Sequence, residues 1–268
     1  MGAEKLVSVV IPCYRGIDYV RGAIESCLNQ TYRSVEVIVV DDASPTKDAE
    51  VAESFNDPRI RVLRHPVNRG VSEAFNTGFA ASNGTYLTRL AQDDLFRNDA
   101  FEIMVRKLEE SPADVGLVYC DMQMIGIDGQ LLVEHHRCEE SDRALLPCNR
   151  IGNCVMWRRE VWDRVGGFRK RYDFSEDYDF YLRILLHYRI EKCRGVEPFF
   201  FRWHPAQGSN VFEKRQDVTM CLAQLDYQWS RVKNRPISLS AWKACVGRVA
   251  RLPGLWLRAR LNRPRRSA

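Results

Sequence analysis

Acidic side chains fall in tight groups along this chain. Asp41-Asp42 follows the β-branched run Val35–Val40, and Gln92-Asp93-Asp94 follows the apolar run Tyr86–Leu90. Adjacent carboxylates at the end of a buried strand are costly unless something binds them. They can accept hydrogen bonds from a base or a ribose. They can also ligate a hard cation, since Mg2+ or Mn2+ takes one or two protein carboxylates together with phosphate oxygens. A diphosphate leaving group needs that neutralisation. The plainer reading is a solvated turn for Asp41-Asp42-Ala43-Ser44-Pro45, or a helix-start acid cluster for Asp93-Asp94. A third group, Glu176-Asp177-Tyr178-Asp179, puts three acids in the first turns of a helix. The helix dipole explains part of that pattern, and a general base for an attacking hydroxyl is the functional alternative. In Arg202-Trp203-His204, the imidazole is either structural or a ligand, and the indole either stacks on a sugar ring or packs in the core.

These groups need a frame. Leu6–Ile11, Val35–Val40, Ile60–Leu63, Tyr86–Leu90 and Val115–Cys120 read as buried strands. Residues 18–30, 71–81 and 100–110 carry helical spacing between them. Strands alternating with helices imply an α/β domain with a mostly parallel sheet, whose ligands bind beyond the carboxyl ends of the strands. Both aspartate pairs then share one rim. Further on, Asp128-Gly129 predicts a hairpin turn, Ile151–Trp157 a strand, and Arg159–Val165 a helix stopped by Gly166-Gly167. Ser175 is placed to cap a helix over Glu176–Leu186, Pro198–Trp203 predicts a strand, and helices are expected at 212–233 and 238–250.

With 268 residues, 45% of them hydrophobic, the chain can build one substantial core and is not disordered over most of its length. The nine cysteines include no CxxC pair, and several sit in apolar runs. They read as buried thiols of a reducing compartment. Glu4 and Lys5 lead straight into a strand without a leader-like segment, and no apolar run approaches a membrane span. The expectation is a cytoplasmic protein, at most peripheral to a membrane.

The net charge of +5 is unevenly spread. Residues up to Asp226 hold 29 basic and 35 acidic side chains, and those after it hold eleven basic and no acidic ones. Trp242, Val246, Leu252, Leu255 and Trp256 alternate there with Lys243, Arg248, Arg251 and Arg258, as suits an interfacial helix on anionic lipid or a helix packed on the domain.

Taken in order, the motifs resemble the family 2 glycosyltransferases. Val7-Ser8-Val9-Val10-Ile11-Pro12-Cys13-Tyr14, Gln30-Thr31-Tyr32 and Glu36–Ser44 are similar to that family's opening. Asn68–Asn76 and Asn83-Gly84-Thr85-Tyr86 are similar to its next blocks, and Ala91-Gln92-Asp93-Asp94 occupies its DXD position. Gly166-Gly167-Phe168, Glu176-Asp177-Tyr178-Asp179 and Arg202-Trp203-His204-Pro205 match its acceptor-side and late histidine blocks.

The resemblance implies a GT-A fold, Rossmann-like, with a mostly parallel central sheet flanked by helices. It covers about residues 6–210 and implies a catalytic domain over 1–210, with a donor half to about 120 and an acceptor half beyond, followed by a helical basic extension at 211–268. It implies inverting transfer from a nucleotide-diphosphate sugar, UDP by preference with GDP and dTDP open, to a carbohydrate or glycolipid hydroxyl. No nucleic-acid partner is expected. Pro12, Tyr14, Asp41, Asp42, Asn68 and Asp93 would serve the nucleotide, and Asp93 and His204 would hold Mg2+ or Mn2+. Asp177 would be the base with Glu176 beside it, and Trp203, Gly167 and Asp94 would lie on the acceptor side. Two positions depart from the family: Ala91 stands where Asp is frequent, and Phe75 where Arg is frequent, with Arg69 a candidate replacement. These departures leave room for a degenerate domain acting as a scaffold or sugar-binding partner. A nucleotidyltransferase is the other rival, although Pro12-Cys13-Tyr14-Arg15-Gly16 is not its Gly-rich phosphate loop.

Overall fold

The computed structural model describes residues 4–136, 138, 149–207 and 213–233. Strands β1 (Val7–Cys13), β2 (Val35–Asp41), β3 (Ile60–Arg64) and β4 (Tyr86–Arg89) pair in parallel in the order β3-β2-β1-β4. Helices α1 (Val20–Leu28), α2 (Asp48–Glu53) and α3 (Val71–Ala81) connect them. Every residue of β2 is buried, which is why Val37–Val40 is apolar without alternation, and the one charge before them, Glu36, accepts from Ser8 Oγ and the Asn83 amide. The sheet continues through β9 (Val155–Arg158), β6 (Val115–Cys120) and β10 (Arg189–Cys193). Of its seven strands, β9 alone runs antiparallel to its neighbours.

A second sheet has the order β5-β11-β7-β8, built from β5 (Leu95–Phe96), β7 (Met122–Ile125), β8 (Leu131–His136) and β11 (Phe199–Arg202). The expected turn joins β7 to β8, with Gly129 at φ 84° and the Gly126 amide donating to Gln130 O. The other α-helices among the described residues are α4 (Ala100–Glu110), α5 (Arg159–Val165), α6 (Glu176–Ile184) and α7 (Glu213–Lys233). One compact unit runs from Met1 to Ala223 and a second from Gln224 to Ala268. The helix expected at 238–250 and the basic residues from 234 onward lie outside the described residues.

Four details differ from expectation. The strand anticipated at Ile151–Trp157 begins only at Val155, because Gly152 adopts φ 69° and breaks the extended run. Short α2, β5 and β10 carry no strong period of their own; β10 is an edge strand whose Arg189 and Glu191 pair with each other. Helix α6 ends at Ile184. Ser175 holds the N-cap position, but its hydroxyl donates to Gln216 O instead of capping the helix.

An aromatic cluster joins the central sheet to three helices. Phe79 of α3 lies 4.7 Å from Trp162 of α5 and 5.2 Å from Trp157 of β9, and Phe168 lies 5.0 Å from Phe180 of α6 (ring centroids). This packing fixes the start of α6 beside the end of β4 and beside α3.

Candidate active site

The first group of expected site residues lies where β1 and β2 end, with Cys13 paired to Asp41. The Gln92 side chain grips the Tyr14 backbone at both polar atoms, accepting from its N–H at 2.9 Å and donating to its carbonyl at 3.0 Å. Gly16 admits no Cβ, which would lie 2.2 Å from the Gln92 amide. Pro12 is half-buried and Tyr14 is 40% exposed, so this clamped turn presents a surface. Asp41 Oδ1 accepts from the Ser44 amide at 2.8 Å across Ala43, which sits at φ 54°.

Asp42 is engaged differently. Its Oδ1 accepts from the Arg69 amide at 2.8 Å and lies 2.6 Å from His65 Nδ1, and its Oδ2 accepts from the Gly70 amide at 2.8 Å. Asn68 Nδ2 donates to Asp42 O at 3.2 Å. The carboxylate thus anchors the loop that starts α3. Arg69 pairs with Glu73 at 2.6 Å on the surface.

A second group forms where β4 and β11 end. His204 Nε2 lies 2.8 Å from Asp93 Oδ2 although 111 residues separate them. Arg202 secures the turn, donating from Nε to Asp93 O and from its backbone N–H to Asp94 Oδ1, both at 2.9 Å. The His204 ring stacks on Tyr19 at 5.2 Å. Asp94 is buried and its Oδ2 has no hydrogen-bond partner among the described residues. Burial raises its carboxyl well above the usual range, the charge of Asp93 adds to this, and Arg202 and Arg89 oppose it. Among the described residues no three metal-type donors gather. One imidazole and one carboxylate in contact still fit a hard cation whose other ligands are phosphate and water oxygens. Trp203, 46% exposed, is held by its amide to Ile125 O. Gly167 packs against Asn76, whose side chain bonds both backbone polar groups of Phe168 at 2.8 Å.

The third group lies at the start of α6. Arg89, the last residue of β4, donates from Nη2 to Asp177 Oδ2 at 2.8 Å, and its Nη1 lies 3.7 Å from Glu176 Oε1. Asn149 Nδ2 donates to the same Asp177 oxygen at 2.9 Å, and the Tyr178 amide donates to Oδ1 at 2.7 Å. Burial first and the Asp177 charge second push the Glu176 carboxyl up to about 7, against the pull of Arg89.

The structure therefore joins Asp93 to His204, Glu176 and Asp177 to each other through Arg89, and Asp42 to Asn68 beside Asp41. Arg89, Asn149 and Tyr19 belong to these groups and were not singled out in the sequence, and Gln92 stood in a motif without a role of its own. The missed signal was Arg89 itself, a charge ending an otherwise apolar strand.

The profile described as glycosyl transferase family 2 matches residues 8–195, more than half of the chain. The chain belongs to that family. The matched segment includes the groups around Asp41-Asp42 and at the start of α6, and Arg202–His204 lies just past it. Chondroitin synthase of Pasteurella multocida is 29% identical over 182 residues, covering 67% of this chain and 19% of that one. An uncharacterised glycosyltransferase of Rickettsia typhi is 30% identical over 188 residues, covering 67% of this chain and 58% of its own. The glycosyltransferase chain thus spans about a fifth of the first relative and under two thirds of the second.

S. aureus TarS 1–349 in complex with UDP-GlcNAc superposes with a TM-score of 0.69 at 16% identity, covering 88% of this chain and 68% of that one. The mannosyltransferase PcManGT from Pyrobaculum calidifontis, in complex with GDP-Man and Mn2+, gives 0.63 at 16% identity, covering 93% and 70%. The fold is GT-A. Family membership sets aside the nucleotidyltransferase alternative. No described helix is long and apolar enough to cross a membrane.

Proposed function

We propose that this glycosyltransferase transfers a sugar, with inversion, from a nucleotide diphosphate to a hydroxyl of a carbohydrate or glycolipid acceptor. The observation that carries the reading is Asp177. Its carboxylate, at the first turn of α6, is held by Asn149, by the Tyr178 amide and by Arg89, which ends the strand that leads to Asp93. A carboxylate so fixed suits proton abstraction from an attacking hydroxyl.

Pro12, Tyr14 and Asp41 line the base and ribose side in this reading, and Asp42 acts by shaping the Asn68–Gly70 loop. Asp93 and His204 would hold Mg2+ or Mn2+, which supplies charge neutralisation to a departing diphosphate. Trp203 offers an exposed aromatic face to the acceptor or donor sugar. UDP is the preferred nucleotide, in keeping with the UDP-GlcNAc bound by TarS, and the GDP-Man of PcManGT makes GDP the next candidate. The name of the Pasteurella relative favours glycan synthesis as the setting. The basic C-terminal extension would dock on an anionic membrane surface.

The test is a donor screen with UDP-GlcNAc, UDP-glucose, UDP-galactose and GDP-mannose, with Mn2+ and glycan acceptors. The reading predicts acceptor-dependent nucleotide release and a product of opposite anomeric configuration by proton NMR. Nucleotide binding without turnover on any pair would favour the scaffold alternative raised by Ala91 and Phe75.

A further inference from the structure

Two carboxyl groups stand side by side at the start of α6, and the structure treats them unequally. Three donors converge on Asp177: Arg89 Nη2 and Asn149 Nδ2 on Oδ2, and the Tyr178 amide on Oδ1. Glu176 Oε1 is 3.7 Å from Arg89 Nη1, beyond hydrogen-bond range, and Glu176 Oε2 is buried without a hydrogen-bond partner among the described residues. An ionised carboxylate is all acceptor and calls for donors, whereas a neutral carboxyl carries its own proton. Arg89 is itself fixed: it donates to Asn153 Oδ1 at 3.0 Å, and its guanidinium lies 5.7 Å from the Phe75 ring centre.

We propose that Arg89 selects the base: it holds Asp177 as the acceptor of the incoming proton and leaves the proton shared by the two carboxyls on Glu176. The step it serves rests on the transfer reaction proposed above. In that step the acceptor proton moves to Asp177 Oδ1, the oxygen with one donor instead of two. The acceptor oxygen bonds to the anomeric carbon, and the bond from that carbon to the diphosphate breaks, its electron pair leaving with the diphosphate. Arg89 is a positioning residue in this scheme.

The charges around Glu176 agree. It faces Asp177 on its own helix, Asp173 from the turn before, and Arg89 from β4, and the Tyr181 hydroxyl lies beside the same guanidinium. Burial works to lower Arg89, but Tyr181, Asp177 and Glu176 outweigh it and keep it cationic. Two close carboxyls titrate as a pair, and a cation bonded to only one of them decides where the proton resides.

The test is a carboxyl carbon-13 NMR titration of the full chain, with the Glu176 resonance identified by its loss in Glu176→Gln. In the unmodified protein that resonance should titrate near 7. Arg89→Gln should move it up by at least one pH unit, tenfold in proton affinity, and Arg89→Lys should restore most of the shift. Asp177→Asn, which keeps Arg89 in place, should move it down. A Glu176 resonance in the ordinary glutamate range, or one unmoved by Asp177→Asn and Arg89→Gln, would overturn the assignment. With a working donor, Arg89→Gln should lower kcat, leave the donor KM unchanged and shift the acid limb of kcat to higher pH. If no donor turns over, the transfer reading fails while the titration still decides which carboxyl holds the proton.

Discussion

Asp177→Asn preserves the shape of the side chain and removes its basicity. It should lower kcat by about 10²–10⁴-fold, the range of general base catalysis, while the nucleotide-dependent rise in melting temperature is retained. Steady-state kinetics beside a melting curve checks both halves, and undiminished kcat would remove Asp177 from the role. Asp93, Asp177 and His204 were legible as candidates because each lies in a short motif at an element end. Arg89 was not, because its partners stand 64 and 88 positions away, at Asn153 and Asp177. Asp42 was legible only in part. Its neighbour and its strand-end position suggested a ligand contact, but the sequence gives no sign that the amides of Arg69 and Gly70 return to fill its oxygens.

Elements reach the site through close approaches that leave no room for a side-chain carbon. A Cβ on Gly167 would stand 2.5 Å from Asn76 Oδ1, in the clamp that ties α3 to Phe168. Gly167→Ala should cost about 1–3 kcal/mol, read by urea denaturation. Gly84→Ala should cost more, since its Cβ would meet the backbone N of Ser8 at 2.6 Å and the backbone O of Leu6 at 2.8 Å, where no side chain can swing aside. Equal stability in both variants and the parent would contradict this packing. The parallel half of the sheet was readable because β1 and β2 are dominated by Val and Ile and are buried almost throughout. The second sheet was readable only in part: β5 is two residues long and exists through its pairing with β11, a long-range contact that no local pattern encodes.

For the whole molecule, the buried pair links stability to pH. Glu176 sits near 7 in the folded chain against an ordinary 4.5, so the folded state binds more protons between those values. Its contribution is complete below about 4.5 and is lost as pH rises through about 7, a loss of about 3 kcal/mol by pH 8. Glu176→Gln should abolish that decline, so the stability difference between the two proteins should change between pH 5 and pH 8; a constant difference would count against it. The basic extension should co-sediment the protein with anionic vesicles at low salt and release it at high salt. Recovery in the supernatant at low salt would favour a helix packed on the domain.

In the proposed function Asp93 and His204 would hold the metal of a nucleotide-sugar site. Melting temperature with UDP, GDP, dTDP and CDP, each with and without Mn2+, tests it most directly, because a ligand of the folded state raises stability by mass action. One nucleotide, UDP first, should raise the melting temperature only with Mn2+, and Asp93→Ala should abolish the rise. No shift with any nucleotide, or a shift indifferent to Mn2+ and to Asp93→Ala, would contradict it.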